Sequence, residues 1–372
     1  MMKGREISDQ RFQVDALDGL RGIAVLLVIF SHTSNAGQRL ASWLDFSGIG
    51  KSGVFLFFML SAFLLTYPFI ASEAKSLSRF KLANYFVRRF CRIYPLYFLY
   101  LLAAVISTAL IAWWLEPDKP FGIPLSMDWV GMWRHLTLQE GKGVTWSIAV
   151  EFQFYFVLPI VVAVWVLAFN KRLGPCALVI GVAIAGCYLL WPPAETVGND
   201  VRLGPYLSVF LLGSLLALCH YHWRRTEWCQ SFIAQWLLEG AAVIAVMLAV
   251  ATIPAFYNWL FGQAVPRNYF HHAFIPYALI WGGLLFGVLN GRGYLRRILE
   301  WHPLRVMGFI SFSAYLIHPT CVGVFAQINR LWSLPGWLQV SGVLALTVAI
   351  SMLSFRLIEA PSARIRLQQK AA

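Results

Sequence analysis

Ten stretches of this chain are apolar and near the length needed to cross a bilayer, at about residues 19–36, 52–71, 93–114, 145–168, 174–191, 203–221, 236–256, 273–290, 305–326 and 336–358. Those at 174–191 and 273–290 are short and marked by Gly or Pro. The longest stretches between spans, 72–92 and 115–144, are too short to hold a separate core. Composition agrees. Of the 372 residues 59% are hydrophobic and 13% charged, with sixteen Trp and a mean hydropathy of +0.64. A soluble domain of this length is less apolar. The expected fold is therefore all-α, a polytopic transmembrane helical bundle of about ten spans.

The basic residues orient it. With the N-terminus in the cytoplasm, 22 of the 30 Lys and Arg fall inside and 8 outside. This positive-inside pattern supports an even number of spans and two cytoplasmic termini. The net charge of +13 then reads as topology and an anionic ligand. No RNA- or DNA-binding pattern accompanies it, so nucleic acid is not an expected partner. The charged segment before residue 17 runs into a hydrophobic span without a small-residue cleavage site, so the first span is expected to stay. The six cysteines (91, 176, 187, 219, 229, 321) are scattered and lack metal spacing. Cys219 and Cys229, with His220 and His222, surround a cytoplasmic loop and read as ordinary loop chemistry. No metal is expected, and no internal repeat is evident.

Polar residues gather at five places. In LDGLRGIAVLLVIFSH (residues 17–32), Arg21 and His32 share a helical face, about 16 Å apart along the axis. Arg21 can equally be read as snorkelling at the inner interface beside Asp18, and His32 as capping a helix contact. An intramembrane ionisable residue usually serves a site, and function is the favoured reading here. In NYFVRRFCRIYPLYF (84–98), Arg88, Arg89 and Arg92 cluster where a cytoplasmic loop is expected to become the third span. Arg89 and Arg92 share a face at i, i+3. Guanidinium forks suit phosphate oxygens, and the positive-inside rule also predicts arginines there.

In TWSIAVEFQFY (145–155), Ser147, Glu151 and Tyr155 line one helical face at i, i+4 and i+8, with Glu151 about 9 Å into the span. A carboxylate at that depth is hard to explain as a solvated group, and function is favoured over an interhelical polar clamp. In ISFSAYLIHP (310–319), Ser311, Tyr315 and His318 repeat at i, i+4 and i+7, and Pro319 frees a backbone carbonyl nearby. His318 reads equally as a ligand-positioning group and as a satisfied packing histidine. The outer loop FYNWLFGQAVPRNYFHH (256–272), with Arg267, His271 and His272, reads as an interfacial aromatic belt. Depth connects these places. The arginines sit at the cytoplasmic mouth, whereas His32, His318 and Glu151 fall at mid-membrane or in the outer half. That layout suits a long ligand with an anionic head in the cytosol and a reactive tip deeper in.

With these residues in view, the chain resembles the acyltransferase-3 family of integral membrane acyltransferases, which includes O-acetylases of bacterial surface polysaccharides and macrolide acyltransferases. Arg21 and His32 match its Arg, ten residues, His signature. GVFLFFMLSAFLL (53–65) is similar to its second-span motif, with Ala62 where Gly is usual. Arg89 and Arg92 match its Arg-x-x-Arg, and TWSIAVEFQFY resembles its Trp-Ser…Glu…Phe-Tyr segment. SFSAYLIHP resembles its late Tyr-Leu-x-His segment, and RLIEAP (356–361) its usual ending.

The resemblance implies an acyl-CoA donor, expected to be acetyl-CoA, loaded from the cytoplasm as a co-substrate with no bound cofactor. It implies as acceptor a hydroxyl of a saccharide, glycolipid or glycosylated small molecule. Arg21, Arg89 and Arg92, with Arg88 beside them, would hold the coenzyme A phosphates. His32 would be the general base or a transient acyl carrier, and Glu151 would orient that imidazole or the acceptor. Ser147, Tyr155, Tyr315 and His318 are candidates for acceptor binding or positioning. One integral membrane acyltransferase domain over 1–372 is expected, without an additional extracytoplasmic hydrolase-like domain. The expected location is the bacterial cytoplasmic (inner) membrane. By physics alone a secondary transporter or flippase for an anionic or glycosylated solute fits the same polar faces. A scaffolding protein fits least, since it leaves those faces without a purpose.

Overall fold

The computed structural model describes residues 14–72, 78–114 and 126–367. Lys3, Arg5, Arg11, Lys75, Lys119 and Lys370, counted above in the charge distribution, lie outside them. The described residues form helices joined by turns and loops, with no strand among them. The helices are α1 (Asp15–Asn35), α2 (Gly50–Ala71), α3 (Arg79–Trp114), α4 (Trp129–Leu136), α5 (Trp146–Ala163), α6 (Leu173–Leu190), α7 (Leu207–Trp223), α8 (Phe232–Ala251), α9 (Pro254–Phe261), α10 (Phe274–Asn290), α11 (Tyr294–Leu299), α12 (His302–Phe309), α13 (Ser311–Trp332) and α14 (Gly336–Ser354). Single π-helical turns extend α5 over Val164–Ala168 and α14 over Phe355–Glu359.

Eight helices are long and apolar enough to cross a membrane, or nine if α12 and α13 count as one broken span. A helix stands at each of the ten expected places, but two depart from a simple crossing. α10 has 17 residues and is the short one. The expected span at 305–326 is not one rod, because α12 and α13 meet at Ile310 with a bend of 82°. The reason is tertiary. α12 crosses the N-terminal half of α1 backbone to backbone, and a Cβ on Gly308 would stand 1.8 Å from the Asp18 carbonyl oxygen. On α1, a Cβ on Gly22 would stand 2.2 Å from the Leu304 carbonyl oxygen. A third departure is at α3, which begins at Arg79 rather than near 93. Arg88, Arg89 and Arg92 are therefore helical residues and not the end of a loop.

The bundle has a centre and a rim. In α2, 72% of the apolar window is buried, against 17% in α6. The bare faces of α6 and α8 suit hydrocarbon, where helices need no polar cover because their backbone bonds are internal. α2 packs between α1 and α7, and its aromatic face builds much of the core. Phe58 stacks on Phe210 at 4.5 Å, and Phe55 meets Phe274 edge-on at 5.5 Å. On α9, Tyr257 packs on Phe270 of the following loop at 5.3 Å while Trp259 is exposed, as an interfacial aromatic cluster would be.

Candidate functional site

α1, α2, α3, α5 and α13 enclose a cavity with about 760 Å³ of empty space, its open mouth included. Seven of the ten candidate site residues line it, Arg21, Arg89, Arg92, Ser147, Glu151, Tyr155 and Tyr315, and so does Ser311. The helical spacings explain the selection. Arg89 and Arg92, three apart on α3, face the cavity, and Arg88, one residue off that face, is not among its walls. Ser147, Glu151 and Tyr155 descend one face of α5 in successive turns. Apolar side chains complete the wall, with Phe57 and Leu64 from α2, Ile93 from α3 and Phe312 from α13.

One end of the cavity is cationic. Arg21, Arg89, Arg92 and Glu151 act on one another electrostatically, three guanidinium groups against one carboxylate. Arg21 is 3.5 Å from Asp18, a long contact one turn away on α1. Arg89 and Arg92 make no direct ion pair among the described residues. Arg89 Nε is buried there without a hydrogen-bond partner. A buried guanidinium donor left unpaired is costly, and an anion bound in the cavity would relieve it.

Glu151 is held from two sides. Ser61 Oγ donates to its Oε1 at 2.6 Å and Tyr155 Oη at 2.7 Å. Its Oε2 takes no hydrogen bond from the described residues. Glu151 thus belongs with the arginines, and no bond joins it to His32. Ser61 was not among the residues expected at the site, although it lies in GVFLFFMLSAFLL beside Ala62. A second buried carboxylate comes from the RLIEAP segment. Glu359, in the π turn after α14, accepts a hydrogen bond from Ser313 and lies within electrostatic reach of Arg92.

Two hydroxyls are paired elsewhere in the wall. Ser147 Oγ donates to Tyr315 Oη at 2.8 Å, and Tyr315 Oη donates to the Val144 carbonyl at 2.9 Å. The Tyr315 ring stands edge-on to Phe57, with centroids 6.2 Å apart. Beyond this pair, one helical turn further along α13, lies His318. It is fully buried and does not line the cavity. Its Nε2 is 2.9 Å from His32 Nδ1, although the two residues are 286 positions apart in sequence. His32, at the far end of α1 from Arg21, is half-buried. The structure therefore brings the two histidines together and sets them apart from Glu151.

Other histidines hold the frame. His135 on α4 takes up both ring nitrogens in backbone bonds. Nδ1 meets the Gly131 carbonyl at 2.7 Å, and Nε2 accepts from Lys142 N at 3.0 Å. His271 Nε2 meets the Gly48 carbonyl at 3.0 Å. His220 and His222 join helix ends, to Asn290 at 2.9 Å and to the Lys171 carbonyl at 2.8 Å.

Known proteins share this chain's sequence over most of its length. Nodulation protein 10 of Rhizobium leguminosarum bv. viciae is 27% identical, with 94% of this chain and 93% of that protein aligned. Peptidoglycan O-acetyltransferase OatA of Listeria monocytogenes is 26% identical over 94% of this chain and 56% of its own length. O-acetyltransferase OatA of Staphylococcus aureus is 25% identical over 93% of this chain and 56% of its own. The chain thus spans a little over half of these two O-acetyltransferases. No solved structure matches. The family model described as an acyltransferase domain matches residues 14–356, which takes in every wall of the cavity and both histidines. The chain belongs to the acyltransferase-3 family of membrane acyltransferases.

Proposed function

We propose that this protein moves an acyl group, acetyl in the first instance, from a cytoplasmic acyl-CoA to a hydroxyl of a saccharide or saccharide-bearing acceptor. The observation that carries the reading is the unpaired, buried Arg89 Nε in a wall shared with Arg21 and Arg92. Three guanidinium groups suit the phosphates of coenzyme A. From there an apolar wall leads toward Tyr315, and beyond it to His32. The acyl-bearing arm would follow that wall, and α1 sets the distance from Arg21 to His32 at about 16 Å.

His32 is the proposed general base. It takes the proton of the acceptor hydroxyl as that oxygen attacks the thioester carbonyl carbon. The new C–O bond forms, the C–S bond breaks, and the coenzyme A thiolate leaves and recovers the proton from the imidazolium. Glu151, fixed by Ser61 and Tyr155, would position the arginines. The O-acetyltransferase relatives, one named for peptidoglycan, support a saccharide acceptor. The acceptor would arrive at the half-buried face of His32. On this reading both termini lie in the cytoplasm and the protein resides in a bacterial inner membrane.

The test is coenzyme A release by the protein in nanodiscs, fed acetyl-CoA with soluble peptidoglycan fragments as acceptor probe. His32→Ala is expected to lose at least about 100-fold in turnover. Folded protein that neither binds nor turns over acetyl-CoA and propionyl-CoA would overturn the reading, as would wild-type turnover by a folded His32→Ala.

A further inference from the structure

We infer that His318 is a positioning residue that locks His32 into the tautomer whose Nε2 carries the lone pair. The inference rests on the proposed role of His32 as base. It starts from a proline. Pro319 has no N–H, so the Tyr315 carbonyl, four residues back on α13, receives no helical hydrogen bond from it. The Ala314 carbonyl stands 3.0 Å from His318 Nδ1, and the freed Tyr315 carbonyl also lies against this imidazole. A carbonyl oxygen only accepts, so Nδ1 carries a proton.

The second nitrogen follows. His318 is fully buried, and among the described residues its surroundings supply His32 and these carbonyls but no carboxylate. A second proton would place an unpaired charge there, which burial penalises heavily. His318 Nε2 is therefore an acceptor. Its partner at 2.9 Å, His32 Nδ1, must donate. A neutral imidazole with its proton on Nδ1 has its lone pair on Nε2. Nε2 is the atom of His32 left to take the acceptor's proton, and it meets no protein donor among the described residues. The relay runs backbone carbonyl, His318, His32, acceptor, and it supplies the orientation that Glu151 does not. His318 moves no proton itself, because its own stays on Nδ1.

Three variants separate this role from packing. His318→Gln can place an amide oxygen near the former Nε2 and still accept from His32. His318→Asn keeps a donor near Ala314 but falls short of His32, and His318→Leu keeps bulk alone. Coenzyme A release from acetyl-CoA in nanodiscs is measured for each, with thermal unfolding of the same samples. His318→Leu and His318→Asn are expected to lose about 100-fold in kcat with KM for acetyl-CoA within threefold, and His318→Gln to recover to within about tenfold of wild type. Equal activity of the Gln and Asn variants would overturn the inference, and so would a wild-type kcat in His318→Leu. If the Leu variant does not fold, the Gln and Asn pair decides. A wild-type protein inert toward acetyl-CoA would instead count against the proposed function, so the two failures are distinguishable.

Discussion

Ser147 on α5 and Tyr315 on α13 share a hydrogen bond of 2.8 Å in the cavity wall, and His318, paired with His32, follows one helical turn further along α13. On the proposed reading the acyl group must pass the Tyr315 ring to reach His32, so this hydroxyl pair sets the width of that passage. Tyr315→Ala is expected to raise the ratio of hexanoyl-CoA to acetyl-CoA turnover by about tenfold, since one or two methylenes in an apolar pocket decide selectivity on that scale. An unchanged ratio in folded protein would show that the acyl chain does not pass Tyr315.

Arg89 and Arg92 present forks that a lysine does not reproduce. Arg89→Lys is expected to weaken acetyl-CoA binding by about tenfold and Arg89→Ala by about 100-fold, chiefly in KM. Titration calorimetry with coenzyme A should report the same order. Arg88→Ala, off the cavity wall, should stay within about threefold of wild type.

Glu151→Gln keeps an acceptor for Ser61 and Tyr155 and removes the charge. With one negative group fewer among three arginines, coenzyme A should bind as tightly or more tightly. If Glu151 positions those arginines for transfer, kcat should fall at least about tenfold. A parallel rise in KM would instead mark it as part of the binding surface.

The α1–α12 crossing has no room for a side chain. Gly308→Val is expected to cost more than about 2 kcal/mol, or to prevent assembly, because the added group meets backbone and not a movable side chain. Thermal unfolding in detergent reads this directly, with Gly240→Val, at an unobstructed position, as the comparison.

His135 lies outside the spans, and its burial pushes the imidazole below its ordinary value. The unfolded chain then binds more protons than the folded one as pH falls through the ordinary histidine range, so stability drops toward acid. Protonation would also expel Lys142 N from Nε2. The Tm should fall between pH 7 and pH 5, and His135→Gln should flatten that fall.

Much of the site was legible because it is written in helical spacing. The i, i+3 pair Arg89 and Arg92 and the i, i+4, i+8 series from Ser147 to Tyr155 need only a helix to converge, and α3 and α5 supply it. What stayed hidden depends on contacts between distant segments. Ser61 looks like any small polar residue in an apolar helix until Glu151 is placed against it. His32 and His318 each asked for a partner, and nothing local said they would be each other's. The bend at Ile310 was equally silent. Pro319 marks where a kink would be expected, but the turn falls nine residues earlier, where Gly308 lets α12 lie across α1. The start of α3 at Arg79 was missed because a helix can leave the apolar run and continue through basic residues.

One rod, α1, carries both Arg21 and His32, and that makes it a ruler. Inserting one residue between them would turn His32 by about 100° and advance it about 1.5 Å, out of register with His318. The ten intervening residues would therefore, on the proposed reading, meter the molecule that the cavity accepts. On the proposed reading, a thioester on a shortened arm would be bound by its phosphates and still stop short of the base, so such a compound should occupy the site as an inhibitor and not react.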